Sequence, residues 1–240
     1  MKRLTIALDD IARIQEIFGT DAVDPIRYGI LCETYGADGL TVTLSHSSRG
    51  IQEKDIRLLK ELRRSYLNLH IPFHTDLFKL ALSIAPDMVT FVEISSSNPD
   101  QLLPLSTAIL NETLAEVLPD FQANNISVAV LIAPDINVLK SLSKLEIDYV
   151  ELDCSEYTRA TDTNDQLVAL DNLKTAAMGA AKLGLGINCF GNIGYSHLAD
   201  LVQIPHLEDI TMGKSLIHRA FLVGLEKAIQ EARLAISGSA

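Results

Sequence analysis

A chain of 240 residues, 48% of them hydrophobic and 21% charged, holds enough apolar material for one large core and shows none of the bias of a disordered or fibrous chain. Its formal net charge of −11 excludes an overall basic footprint for nucleic acid, and no apolar run reaches the ~18 residues of a membrane span. Cys32, Cys154 and Cys189 lie far apart in sequence, with no spacing suited to zinc, so the expected setting is a reducing, cytoplasmic compartment.

In chain order, the first strand is expected at Leu4–Leu8, where Asp9 and Asp10 arrive too early for a secretory leader. Helical periodicity over Asp24–Tyr35 opens on a cap followed by Pro25, and the small residues 37–39 turn the chain into a strand over Gly39–Leu44. Further strands are read at Tyr66–Ile71, Met88–Val92, Ser127–Ile132, Tyr149–Leu152, Gly186–Cys189 and Asp209–Met212. Helices fall between them at Glu53–Arg64, Thr75–Ile84, Thr113–Asn124, Ile136–Leu145, Thr163–Leu183, Ser196–Gln203 and Ser215–Ile236. Residues 95–110 and 156–165 form longer loops after the fourth and sixth strands, with room for an extra helix. The tail, residues 237–240, is expected to fray. Eight strands alternating with helices, with no linker between them, predict a single α/β domain over residues 1–240, a (β/α)₈ TIM barrel with extra helical elements in its βα loops.

Seven segments, in order, resemble the pyridoxine 5′-phosphate synthase family of vitamin B6 biosynthesis. The opening IALDDIARIQEIFGT (residues 6–20) is similar to the family's VNIDHIATLRNARGT, and Asp24-Pro25 to its DP helix start. GADGLTVTL (36–44) resembles its GADGITVHL, NLH (68–70) its NLE, and YVEL (149–152) its FIEIH strand. GLGIN (184–188) and MGKSLIHRA (212–220) resemble its GLKVNAGHG and IGHAIIGRA. The family condenses 1-deoxyxylulose 5-phosphate with 3-amino-1-hydroxyacetone phosphate, chemistry that needs proton transfers and a grip on two phosphates. By resemblance its catalytic positions fall at Thr43, His70 and Gly191, where the family has His, Glu and His. Its Asn in strand one is Ala7, its next His is Asp10, two arginines are Gln15 and Phe18, and only Arg49 of its basic loop remains. Asp9, Glu151 and Asn188 match family residues. The resemblance implies a homo-oligomer, from dimer up to octamer.

If the strands aim their C-terminal ends at one mouth, that mouth is acidic and carries two histidines, His70 and His74. His70 is then a candidate general base oriented by Glu151 or Asp9, and these three are the expected catalytic set. A divalent metal on the same carboxylates and histidines is the other chemistry weighed, but no recognised ligand spacing supports it, so neither metal nor cofactor is expected. Substrate or phosphate contacts are expected from Gly191, Asn192, Gly213, Lys214, Asn188 and Arg49, with Gly213 and Lys214 opening a helix as phosphate sites do. The partner expected is a small phosphorylated metabolite, with no nucleic acid and no membrane. Three functions remain open: a diverged enzyme on a small phosphorylated or carbonyl compound, a non-catalytic homologue binding a small ligand or protein, and an active synthase with a rearranged site.

Overall fold

The computed structural model describes residues 2–19, 23–44, 50–142 and 144–238. The chain begins with β1 (Arg3–Ala7), α1 (Asp9–Phe18), α2 (Pro25–Thr34), β2 (Gly39–Thr43), α3 (Glu53–Leu62), β3 (Tyr66–Pro72), α4 (Thr75–Ile84) and β4 (Met88–Ile94). Then come β5 (Leu102–Leu103), α5 (Thr107–Glu112), α6 (Leu114–Ala123), β6 (Ser127–Ile132), α7 (Ile136–Leu142), β7 (Tyr149–Asp153), α8 (Ser155–Arg159) and α9 (Thr163–Lys182). β8 (Gly186–Phe190), α10 (Tyr195–Leu201), β9 (Leu207–Met212), α11 (Lys214–Val223) and α12 (Leu225–Ser237) complete it. All strands but β5 pair in parallel in the order β3-β2-β1-β9-β8-β7-β6-β4, and β4 returns to β3, closing the expected (β/α)₈ barrel.

Alternation along the strands sorts the residues into two compartments. Leu4 and Ile6, Leu40 and Val42, Leu67 and Leu69, Val89 and Phe91, and Val150 and Leu152 are wholly buried against the helices. The intervening positions supply the buried polar residues of the chain: Thr5, Thr41, Asn68, His70, Thr90, Glu151, Asn188, Asp209 and Thr211. These face the lumen, because His70 on β3 reaches Glu151 on β7, three strands away with β4 and β6 between, and such a contact has to cross the barrel interior.

At the N-terminal end of the barrel, Asp209 accepts hydrogen bonds at Oδ2 from Thr5 Oγ1 (2.8 Å), Tyr66 OH (2.7 Å) and Arg3 Nε (3.2 Å). Burial raises the Asp209 carboxyl to about 6, although Tyr66, Thr5 and Arg3 pull it the other way. Two tyrosine rings there lie against glycines: a Cβ on Gly39 would stand 2.3 Å from the Tyr66 ring, and one on Gly186 2.2 Å from the Tyr149 ring. Only glycine fits beneath each ring.

Several expected boundaries shift. α1 is additional to the helices read from sequence, and the loop expected at 95–110 contains the two-residue β5, antiparallel to β4, and most of α5. The expected helix Thr113–Asn124 starts one residue later, and α8 occupies the start of the loop expected at 156–165. The long C-terminal helix divides at Gly224, whose φ of 87° no helix tolerates. Of the tail expected to fray, Ser237 belongs to α12, which ends on Gly238 in the left-handed conformation, and residues 239–240 lie outside the described residues.

Candidate functional site

Three of the residues expected to carry chemistry meet at the C-terminal end of the lumen. His70 Nε2 lies 2.9 Å from Glu151 Oε2, with the two side chains 0% and 1% exposed. The approach is off-line for a hydrogen bond, and His70 Nδ1 also has no hydrogen-bond partner among the described residues, so the pair is held by charge rather than by alignment. Desolvation pulls the imidazole pKa down, but the Glu151 carboxylate, and then Asp9, outweigh it and raise it above the ordinary value. Asp9 opens α1 half-buried at the rim and accepts the Thr43 backbone N–H at 2.8 Å. Burial raises its carboxyl against the opposing pull of Thr43, His70 and Arg13. The expected set Asp9, His70 and Glu151 is thus one cluster, in which only Asp9 reaches the rim. Asn188 stands in register with Glu151, its Nδ2 3.9 Å from Met88 Sδ and its Oδ1 without a partner among the described residues.

The rim above β7 and β8 is built by two tight turns. Asp153 Oδ1 accepts the Ser155 N–H at 2.9 Å, and its carboxyl is raised by burial despite the opposing pull of Ser155 and Arg159. Gly191 has φ 113°, and a Cβ there would lie 2.6 Å from Asp153 Oδ1 and 2.9 Å from Ser155 Oγ. Asn192 follows at φ 51°, and with its amide oxygen turned toward Arg159 it accepts from Nε at 3.1 Å and Nη2 at 2.9 Å. Phe190, just before them, sets its ring edge-on to His70 with centroids 4.8 Å apart. Beneath this rim Cys154 and Cys189 are distant in sequence but close enough to interact: Cys154 Sγ donates to Leu152 O at 3.6 Å, and the neighbouring Cys189 together with burial pushes the Cys154 thiol up.

The third side is the N-terminus of α11. Ser215 Oγ donates to Ile193 O, joining this helix to the Gly191 turn, so Gly191, Asn192, Gly213 and Lys214 lie along one arc of the rim. Lys214 is exposed. A carboxylate shares the arc, since Asp10 Oδ2 lies 3.7 Å from where a Gly213 Cβ would stand. Arg13 offsets that charge with a 2.8 Å contact to Asp10 and reaches Asp100 at 3.2 Å. Arg49 lies outside the described residues. His74, the second histidine expected at the mouth, is exposed in the loop after β3 and caps α4, accepting from the Asp76 N–H at 3.4 Å. Among the described residues no group of three His, Cys, Asp or Glu side chains has the geometry of a metal site, and no helix is long and apolar enough to cross a membrane. Arg13, Arg159 and Phe190 were not singled out by sequence, having no motif around them; their place beside Asp10, Asn192 and His70 comes from tertiary folding.

The fold and site together define a (β/α)₈ barrel with the candidate residues Asp9, His70, Glu151 and Asp153 toward its C-terminal mouth. The chain matches the family model described as pyridoxal phosphate biosynthesis protein PdxJ over residues 4–238, and belongs to that family. Relatives called pyridoxine 5′-phosphate synthase include one from Synechococcus sp. (strain JA-2-3B'a(2-13)), 32% identical over 98% of this chain and 99% of that protein. Another, from Geobacter metallireducens, is 31% identical over 96% and 97%. Among solved structures, the 3-keto-L-gulonate-6-phosphate decarboxylase from Vibrio cholerae superposes with a TM-score of 0.64 at 16% identity, covering 99% of this chain and 98% of that one. The phosphoribosylanthranilate isomerase from Pyrococcus furiosus gives 0.63 at 13%, over 99% and 100%. These likenesses show the fold.

Proposed function

We propose that this chain is a diverged member of its family that binds a small phosphorylated metabolite at the barrel mouth and does not run the standard synthase reaction. The observation that carries the reading is Gly191. The space a side chain would need there is taken by Asp153 and Ser155, and the backbone lies where L side chains are strained, so the family's His has no room. Thr43 and His70 at the other two positions point the same way, since the Thr43 hydroxyl, which donates to the Asp9 carboxyl, is no base near neutral pH. The proton-handling groups in this reading are Asp9 at the rim and the His70–Glu151 pair behind it. The phosphate would sit at the N-terminus of α11 beside Lys214, with Arg13 offsetting Asp10.

A second reading, a non-catalytic binder, is favoured by the complete burial of His70. The test is an assay of purified protein with 1-deoxyxylulose 5-phosphate and 3-amino-1-hydroxyacetone phosphate, followed as pyridoxine 5′-phosphate formed. No product from a folded sample is expected; turnover abolished by Asp9→Asn or His70→Gln would overturn the proposal and make the chain a synthase with a rearranged site.

A further inference from the structure

His70 presents a puzzle of accounting. Its ring is wholly buried, yet neither nitrogen has an aligned hydrogen bond among the described residues. Nε2 faces Glu151 Oε2 at 2.9 Å off-line, but Nδ1 has no partner among the described residues, and an unsatisfied buried polar group costs about 1–3 kcal/mol and calls for an explanation. What covers it on the mouth side is Phe190, half-exposed at the end of β8, with its ring at 85° to the imidazole and centroids 4.8 Å apart. The backbone under Phe190 is pinned: it pairs in register with Asp153, and its carbonyl accepts the Cys154 N–H at 2.7 Å. Its neighbours offer no slack either, with Cys189 buried on one side and the crowded Gly191 on the other. Any uncovering of His70 through this ring therefore has to come from side-chain rotation rather than from movement of the loop.

We propose that Phe190 is the access-determining residue of this mouth, a cover that keeps ligands from the His70–Glu151 pair until its ring turns aside. Resting on the reading that this pair handles protons, it narrows the ligand class. A compound must carry a flat or apolar portion that packs on the displaced ring, together with a polar group that satisfies His70. With the ring closed, ligands meet Asp9, Asp153 and the phenyl face but never the imidazole.

The test needs no substrate, so its failure is separable from failure of the functional reading. Hydrogen–deuterium exchange at the imidazole C2 position is followed by mass spectrometry, with exposed His218 as the internal reference. In the unaltered protein, exchange at His70 is expected to be at least about tenfold slower than at His218, because it must await an opening. Phe190→Ala should bring it within about threefold, while Phe190→Leu, which keeps an apolar cover, should remain slow. Circular dichroism confirms that each variant is folded. If Phe190→Ala fails to fold, Phe190→Val, which still shortens the cover, takes its place with the same expectation. His70 exchanging as fast as His218 in the unaltered protein, or staying slow in a folded shortened variant, overturns the proposal.

Discussion

Replacing Glu151 by Gln keeps the side-chain volume and removes the charge facing His70. Breaking a buried pair by removing one partner typically costs about 3–5 kcal/mol, because the other charge is left in a poor medium. For a chain of this length that corresponds to a fall of roughly 6–20 °C in melting temperature, at about 2–4 °C per kcal/mol. The cost has a pH signature. The His70 pKa is raised in the folded protein, so its contribution is fully present below the unfolded value and is lost as pH rises through the folded value. In Glu151→Gln, desolvation is opposed by Asp9 alone and the folded pKa drops, so the variant suffers most in acid, where a proton must be forced onto the ring or forgone. Urea unfolding of both proteins from pH 5.5 to 9 should therefore show a difference near the full value at the acid end that shrinks toward the alkaline end. A difference independent of pH would refute the ionic account of the pair and leave a packing effect in its place.

Asp209 tests the opposite sign. Its folded pKa of about 6 lies above the ordinary 3.8, so the folded state favours the protonated acid and loses stability as pH rises between the two values. The cost of ionisation by neutral pH is up to about 3 kcal/mol at 1.36 kcal/mol per pKa unit. Asp209→Asn should flatten the stability curve across that window in denaturant titrations, and a slope equal to that of the unaltered protein would contradict it. At Gly191, Ala should cost about 2–4 kcal/mol from backbone strain and crowding together. The melting temperature reads this directly, and a neutral substitution would remove the steric argument against a His at the same place.

Much of the barrel was legible because each strand carries its own signal. Leu4 to Leu8, the small residues before β2 and the periodicity of α9 are local features, and the structure returns them nearly at their expected bounds. α1 was missed because the acidic pair Asp9-Asp10 reads as a strand end, although acids in a first turn suit a helix N-terminus equally well. The division at Gly224 was missed because one glycine inside a long periodic run is usually tolerated. In the site, the link from His70 to Glu151 or Asp9 was weighed from sequence, since all three fall at strand ends. What sequence did not reveal is depth. Nothing local says that His70 lies under an aromatic ring while Asp9 reaches the rim, because that order depends on Phe190, a hundred and twenty residues away. Nor does spacing reveal that Asp10 and Arg13 share the arc with Gly213, a contact made only when the first and last βα units meet at the barrel seam.

The tyrosines at the N-terminal end of the barrel bear on how this chain can vary. Tyr66 fits because Gly39 is bare, and Tyr149 fits because Gly186 is bare, so each ring and its glycine form a lock in which neither half changes freely. Putting a methyl group on either glycine is ruinous while the ring is present; replacing Tyr149 by a small residue relieves it at 186, whereas at 39 the methyl would still stand 2.8 Å from Thr5 Oγ1 after Tyr66 is gone. The reverse order, ring lost first, opens a void and lowers stability before any compensation arrives. Drift at these four positions is thus confined to paired steps, and two mutational histories that end in the same sequence can differ in whether every intermediate folds.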